Sequence, residues 1–197
     1  MKILKKINYI FDRKQKIKYF LRGGGLVLLL FHFSSLECKK LIKEDIAAYT
    51  RKSSSNQTLL ELIFEEAKKP FRNVLYYRFQ YDGCSRRLLK LCRIFVRPLD
   101  TIEIGGEIDG GLKIIHNYCV ISVGKAGKNF TVLQGVTIGK NVDGGKPIIG
   151  DNVIVFPNAV IFGGIQIGND VRIGAGSVIN KDVPANSVVV GNPFRYI

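Results

Sequence analysis

The chain has 197 residues, enough for one ordinary domain or for a core with a smaller appendage, and a formal charge of +14. Residues 1–100 carry 22 Lys/Arg against 9 Asp/Glu, whereas residues 101–197 carry 8 against 7, so the excess is N-terminal. Such a segment suits a solvated helical surface, an anionic membrane or an acidic substrate; no nucleic-acid motif accompanies it and aromatic residues do not alternate with the basic ones, which argues against nucleic acid.

Residues 1–39 read as a basic and apolar extension, with eight Lys/Arg in residues 1–22 ahead of the apolar run from Gly25 to Phe33. That run is about half the roughly 20 residues needed to span a bilayer. No small-x-small cleavage pattern follows it in Ser34-Ser-Leu-Glu-Cys38, which argues against export. A buried helix and an element resting on a membrane surface remain.

Residues 40–97 have a helical pattern, with Leu41, Ile42, Ile46 and Ala47 on one stripe and Leu59, Leu60, Leu62 and Ile63 on another. Thr58-x-x-Glu61 forms a capping box, and Lys68-Lys69-Pro70 supplies a cationic last turn and a stop. From Arg86 to Val96, Leu88, Leu89, Leu91 and Ile94 mark an apolar face expected to pack beside the next domain. Cys38, Cys84, Cys92 and Cys119 lack both C-x-x-C spacing and the density of a disulfide scaffold, and read as reduced cytoplasmic thiols.

Residues 98–197 change period. Ile102, Ile108, Ile114, Val120, Ala126, Val132 and Ile138 recur every six residues, and Ile149, Val155, Ile161, Ile167, Ile173 and Ile179 resume the series. The step from 138 to 149 holds five extra residues, which belong to an excursion around Gly139–Pro147. Four places after each anchor of the second series, Val153, Ala159, Ile165, Val171, Ser177 and Val183 are also small or β-branched. One aliphatic per hexad marks a parallel β-helix, three hexads to a triangular coil, whose anchors stack inward; thirteen anchors make about four coils. A sandwich would instead show two-residue alternation and variable loops.

The segments Ile149-Gly-Asp-Asn-Val153, Ile173-Gly-Ala-Gly-Ser-Val-Ile-Asn-Lys-Asp-Val-Pro184 and Val190-Gly-Asn-Pro193 resemble the hexapeptide-repeat acyltransferases. Val132-Leu-Gln-Gly-Val-Thr-Ile-Gly139 with the preceding helices is similar to their serine acetyltransferase branch, which includes enzymes that acetylate capsular or exopolysaccharide sugars. The resemblance covers roughly Lys40 to the C-terminus. It implies a mainly β fold, a left-handed parallel β-helix behind an N-terminal α-helical segment. It further implies a homotrimer with sites in the grooves between subunits, and acetyl-CoA as acyl donor.

Acetyl transfer to a hydroxyl needs a base matched to neutral pH, and histidine suits that task. His32 lies in the apolar run and reads as packed or interfacial. His116 falls two residues after the anchor Ile114, where it should project outward, and in Ile114-Ile-His-Asn117 it matches the family's catalytic histidine. The family orients that base with an upstream acid; counting without gaps reaches Thr101, leaving Asp100 or Glu103 as substitutes. The resemblance places Ala175, Asn180, Lys181 and Arg195 at acetyl-CoA, and Asn117 and Lys146 at the acceptor.

Where serine acetyltransferases present an aspartate, an arginine and a second histidine, this chain has Ile115, Gly145 and Lys146. A site without those ionic contacts discriminates poorly for serine. The expectation is therefore a sugar acceptor in surface-polysaccharide synthesis, with serine O-acetylation in cysteine synthesis as the alternative and a non-catalytic scaffold as a third reading. No metal is expected, because the repeats offer one histidine and one cysteine where zinc needs three or four ligands. The expected location is the cytoplasm, with peripheral attachment to the inner face of the membrane suggested by the N-terminal extension.

Overall fold

In the computed structural model, which describes residues 16–50, 58–142 and 144–197, the described residues as far as Phe95 are mainly helical and strands follow from Ile102. Most of the basic run ahead of Gly25 lies outside the described residues. A tight turn over Phe20–Gly24 leaves helical geometry at Arg22 and Gly23 before α1 (Gly25–Phe33) begins. Gly23 has φ 100, and a Cβ there would lie 2.2 Å from the Phe95 Cβ, so only glycine lets the kink close against the last helix.

Helix α2 (Leu36–Thr50) buries Cys38, Ile42, Asp45 and Tyr49, while Ala47 is exposed. Its inner face is thus rotated from the aliphatic stripe, because the polar atoms of Asp45 and Tyr49 are used by the first coil of the β-helix. Helix α3 (Leu59–Phe64) has the expected capping box: the Thr58 hydroxyl accepts from the Glu61 N–H at 3.4 Å, and the Glu61 carboxylate accepts from the Thr58 N–H at 2.7 Å.

Pro70 is not a stop. It opens α4 (Pro70–Tyr81) in the first turn, where a missing N–H has no intrahelical partner to lose. Helix α4 buries Phe71, Val74, Leu75, Tyr76 and Phe79. Helix α5 (Arg86–Phe95) turns Leu89 and Cys92 inward, and it packs on α4, α1 and the Phe20–Gly24 turn rather than on the β-helix. Leu91 and Ile94, expected on the buried face, are exposed.

The strands form the parallel β-helix that the hexads imply, left-handed as the family resemblance implies. One face stacks β2 (Lys113–Ile114), β4 (Thr131–Val132), β7 (Ile154–Val155), β10 (Arg172–Ile173) and β12 (Val188–Val190), so that Ile114, Val132, Val155, Ile173 and Val189 make an inward ladder. A second face stacks the start of β3 (Cys119–Ala126) with β5 (Thr137–Gly139), β8 (Val160–Phe162) and β11 (Val178–Ile179). The third stacks the end of β3 with β6 (Ile148–Ile149) and β9 (Gln166–Ile167). β1 (Ile102–Ile108) runs beside β3, and β13 (Arg195–Tyr196) returns antiparallel to β12.

The first face has five layers where the hexad count suggests about four, since the irregular first coil and the terminal β12 add to the regular turns. Val132 and Val155 lie 23 residues apart, against 18 for Ile114 and Val132, because the excursion interrupts that coil without breaking the ladder. One anchor is displaced. Val120 is exposed and Ile121 takes the inward place opposite Ile138, because the turn that begins at His116 carries one residue more than the others. Asn129, Asn152, Asp170 and Asn186 occupy left-handed positions on one edge, at φ 58 to 60, a conformation Asn and Asp tolerate.

A β-helix needs its open first coil covered. Asp45 accepts from the N–H groups of Gly111 and Leu112 at 2.9 and 2.8 Å and pairs with Arg78 at 2.8 and 3.0 Å. Arg78 in turn donates to the carbonyls of Ile108 and Asp109. Among the described residues no helix is long and apolar enough to cross a membrane.

Candidate active site

β2 is the outermost strand of its face, so one side of it lacks a β partner. Tyr49 supplies one: its hydroxyl accepts from the Ile114 N–H and donates to the Ile114 carbonyl, both at 2.9 Å. Burial pushes the Tyr49 phenol far above its ordinary range, so the donor proton stays in place. Lys113 Nζ reaches the Ala48 carbonyl at 3.1 Å, and the Ile115 N–H bonds the Val132 carbonyl at 2.8 Å. The backbone entering His116 is therefore held from both sides. Tyr49→Phe should lower stability by about 1–3 kcal/mol, the cost of leaving the buried Ile114 groups unbonded, as read by urea denaturation; an unchanged midpoint would remove Tyr49 from this role.

His116 follows with φ 68 and an exposed side chain, as expected of an outward-facing edge residue. Its edge continues upward through hydrogen bonds. Asn117 O accepts from Gly135 at 3.3 Å, Gln134 O from Asn158 at 3.0 Å, and Pro157 O from Gly176 at 2.9 Å. His116 and Ala175 thus share one edge, three coils and about 14 Å apart at the usual strand spacing.

The next edge carries the other residues. There Pro147 O accepts from Gly124 at 2.9 Å, Gly139 O from Gly163 at 3.2 Å, and Asp182 Oδ1 from Gln166 at 2.8 Å, which places Lys146, Asn180 and Lys181 along it, all exposed. Arg195 sits opposite Val190 at the end of the first face. Within one chain the second face separates Lys146 from His116. The excursion, whose Asp143 lies outside the described residues, folds back onto the coil at Gly145, where a Cβ would lie 2.6 Å from the Gly164 nitrogen.

Neither candidate acid is hydrogen-bonded to His116 among the described residues. Asp100 pairs with Arg97 at 2.6 Å on the surface, and Glu103 is exposed opposite Val120. Thr101 does lie beside the His116 turn, its carbonyl accepting from the Cys119 N–H at 3.0 Å, but it carries no carboxylate. Sequence reasoning passed over Gln134, whose Oε1 is buried without a hydrogen-bond partner among the described residues, on the His116 edge one coil along. A buried orphan acceptor costs about 1–3 kcal/mol unless something bonds it. Its one sequence signal was a polar side chain between aliphatic anchors in Val132-Leu-Gln-Gly-Val136.

Residues 146–181 match the family model described as bacterial transferase hexapeptide (six repeats). A serine acetyltransferase of Bacillus pumilus (strain SAFR-032) is 30% identical over 173 residues, 80% of this chain and 76% of that protein. The crystal structure of Neisseria gonorrhoeae serine acetyltransferase in complex with serine is 29% identical with a TM-score of 0.62, over 83% of this chain and 70% of that one. That of Brucella abortus strain S19 serine acetyltransferase in complex with coenzyme A is 25% identical with a TM-score of 0.58, over 82% and 68%.

These relatives correct the sugar-acceptor expectation and its link to polysaccharide synthesis, since sequence and fold both lead to proteins named for serine. The expectation rested on lost ionic contacts. A carboxylate, however, requires a cation and not one particular side chain, and Lys146 places an exposed ammonium on the excursion.

Proposed function

Since the chain belongs to the hexapeptide-repeat acyltransferases, in their serine acetyltransferase-like branch, it is an O-acetyltransferase, and we propose that it transfers the acetyl group of acetyl-CoA to the hydroxyl of L-serine. The observation that carries this reading is an exposed histidine, His116, on a coil edge whose backbone is pinned by Tyr49; the sequence resemblance matches it to the family's base.

His116 takes the proton from the serine hydroxyl as its oxygen attacks the thioester carbonyl. The C–O bond forms, the C–S bond breaks, and the imidazolium returns the proton to the departing thiolate, giving O-acetylserine and CoA. Lys146 and Asn117 hold the acceptor, and either Asp100 or Glu103, neither bonded to His116 in the single chain, is the acid that would turn to orient the base. Ala175 and Asn180 border the pantetheine arm, and Lys181 and Arg195 face the phosphates.

The division of these residues between two edges of one prism supports a homotrimer, in which a groove between subunits sets the His116 edge of one copy against the Lys146 edge of the next. The cytoplasm, where acetyl-CoA is available, is the location this reading requires.

Thiol release from acetyl-CoA, measured with L-serine and with a panel of sugars, tests the reading. Serine-dependent release is expected, and release that depends only on sugars, or on no acceptor in the panel, would overturn it. Lys181→Ala and Arg195→Ala should each weaken acetyl-CoA binding by about two- to fivefold, the range of an exposed ion pair, with little change in turnover at saturation. Calorimetric titration checks this, and unaltered affinity in both variants would take them out of the site.

A further inference from the structure

The outer side of the helical half combines exposed apolar side chains with a predominantly basic set of charges, of which Lys16 and Arg97 face Glu61 and Asp100. Phe20 and Leu21 from the Phe20–Gly24 turn, Leu29 from α1 and Phe95 from α5 line an open groove of about 610 Å³. Leu21, Phe33 and Ile94 are each about three-quarters exposed, at 75%, 75% and 74%. Residues 16–36 and 86–97, which frame this surface, hold eight Lys/Arg and no Asp/Glu. Beside the groove, on the same α5, Arg86, Lys90 and Arg93 border a second hollow of about 560 Å³ with Gly83 and Ser85.

We infer that this face docks onto an anionic lipid bilayer, with α5 and the Phe20–Phe33 segment lying in the headgroup layer. A bilayer surface offers phosphate at the level of the cations and hydrocarbon just beneath it, where Leu21, Phe33 and Ile94 come to lie. None of the described helices is long enough to cross, so the contact is shallow. A second copy of the chain fits less well. A two-fold contact sets the patch against itself and brings the two cationic frames together, which like-charge repulsion opposes. The inference stands apart from the choice of acceptor and is read without substrate.

The test is flotation of the full chain with vesicles of phosphatidylcholine alone and of phosphatidylcholine mixed with phosphatidylglycerol. The chain should float with the mixed vesicles only, and less so as salt is raised. Arg87→Gln with Lys90→Gln, both exposed and thus harmless to folding, should lower partitioning about 25-fold, at about fivefold per cation removed. Leu21→Ser with Ile94→Ser should abolish it. No flotation, equal recovery with both vesicles, or full binding by the Arg87/Lys90 variant overturns the proposal. A fall in the assembly's mass by light scattering in the Leu21/Ile94 variant does so too, because the face would then join two copies.

Discussion

Replacing His116 with alanine lowers turnover by about 10²–10⁴ while acetyl-CoA affinity and assembly stay nearly unchanged. The reason is local. The imidazole is exposed on a turn and supports no core contact, so its loss removes a proton acceptor rather than a piece of the fold. Because the residue has φ 68, His116→Asn is the better control, since asparagine tolerates the left-handed turn and keeps the backbone in place. Both variants should fail in the same way in single-turnover thiol release. Wild-type turnover in either one would end the assignment.

Asp45→Ala should cost about 3–5 kcal/mol, the range for removing one partner of a buried ion pair. Asp45 is fully buried, and the substitution leaves the Arg78 guanidinium without its counter-charge and the Gly111 and Leu112 N–H groups without an acceptor. Burial pushes the Asp45 carboxyl up and the Arg78 hydrogen bonds hold it back, which is why the pair stands only as a unit. In a domain of this size the loss appears as a fall of roughly 6–20 °C in Tm. Differential scanning calorimetry reads it directly. A shift no larger than a surface ion pair gives, below about 1 kcal/mol, would mean that the helical half does not depend on this contact to cover the coil.

The coil was legible because a β-helix repeats one environment. Each hexad returns a side chain to the same narrow interior, so twelve of the thirteen proposed anchors are buried as their spacing implies, and the outlier, Val120, marks the irregular turn that begins at His116. The helical half was less legible, since an amphipathic pattern names a face but not what covers it. On α5 the Leu91 and Ile94 positions look like core in sequence and lie on the surface. On α2 the inner face holds Asp45 and Tyr49, whose burial depends on backbone groups 65 to 67 residues away along the chain.

By itself, the sequence determined the coil, its inward ladders, the capping box at Thr58 and an outward His116, because each follows from spacing within a few residues. Tertiary structure decided what holds the turn at His116 and how the candidate site residues divide between two edges. Those depend on which hydrogen-bonding groups the coil leaves open at its first layer and on how the strands stack, and neither is a property of any single segment.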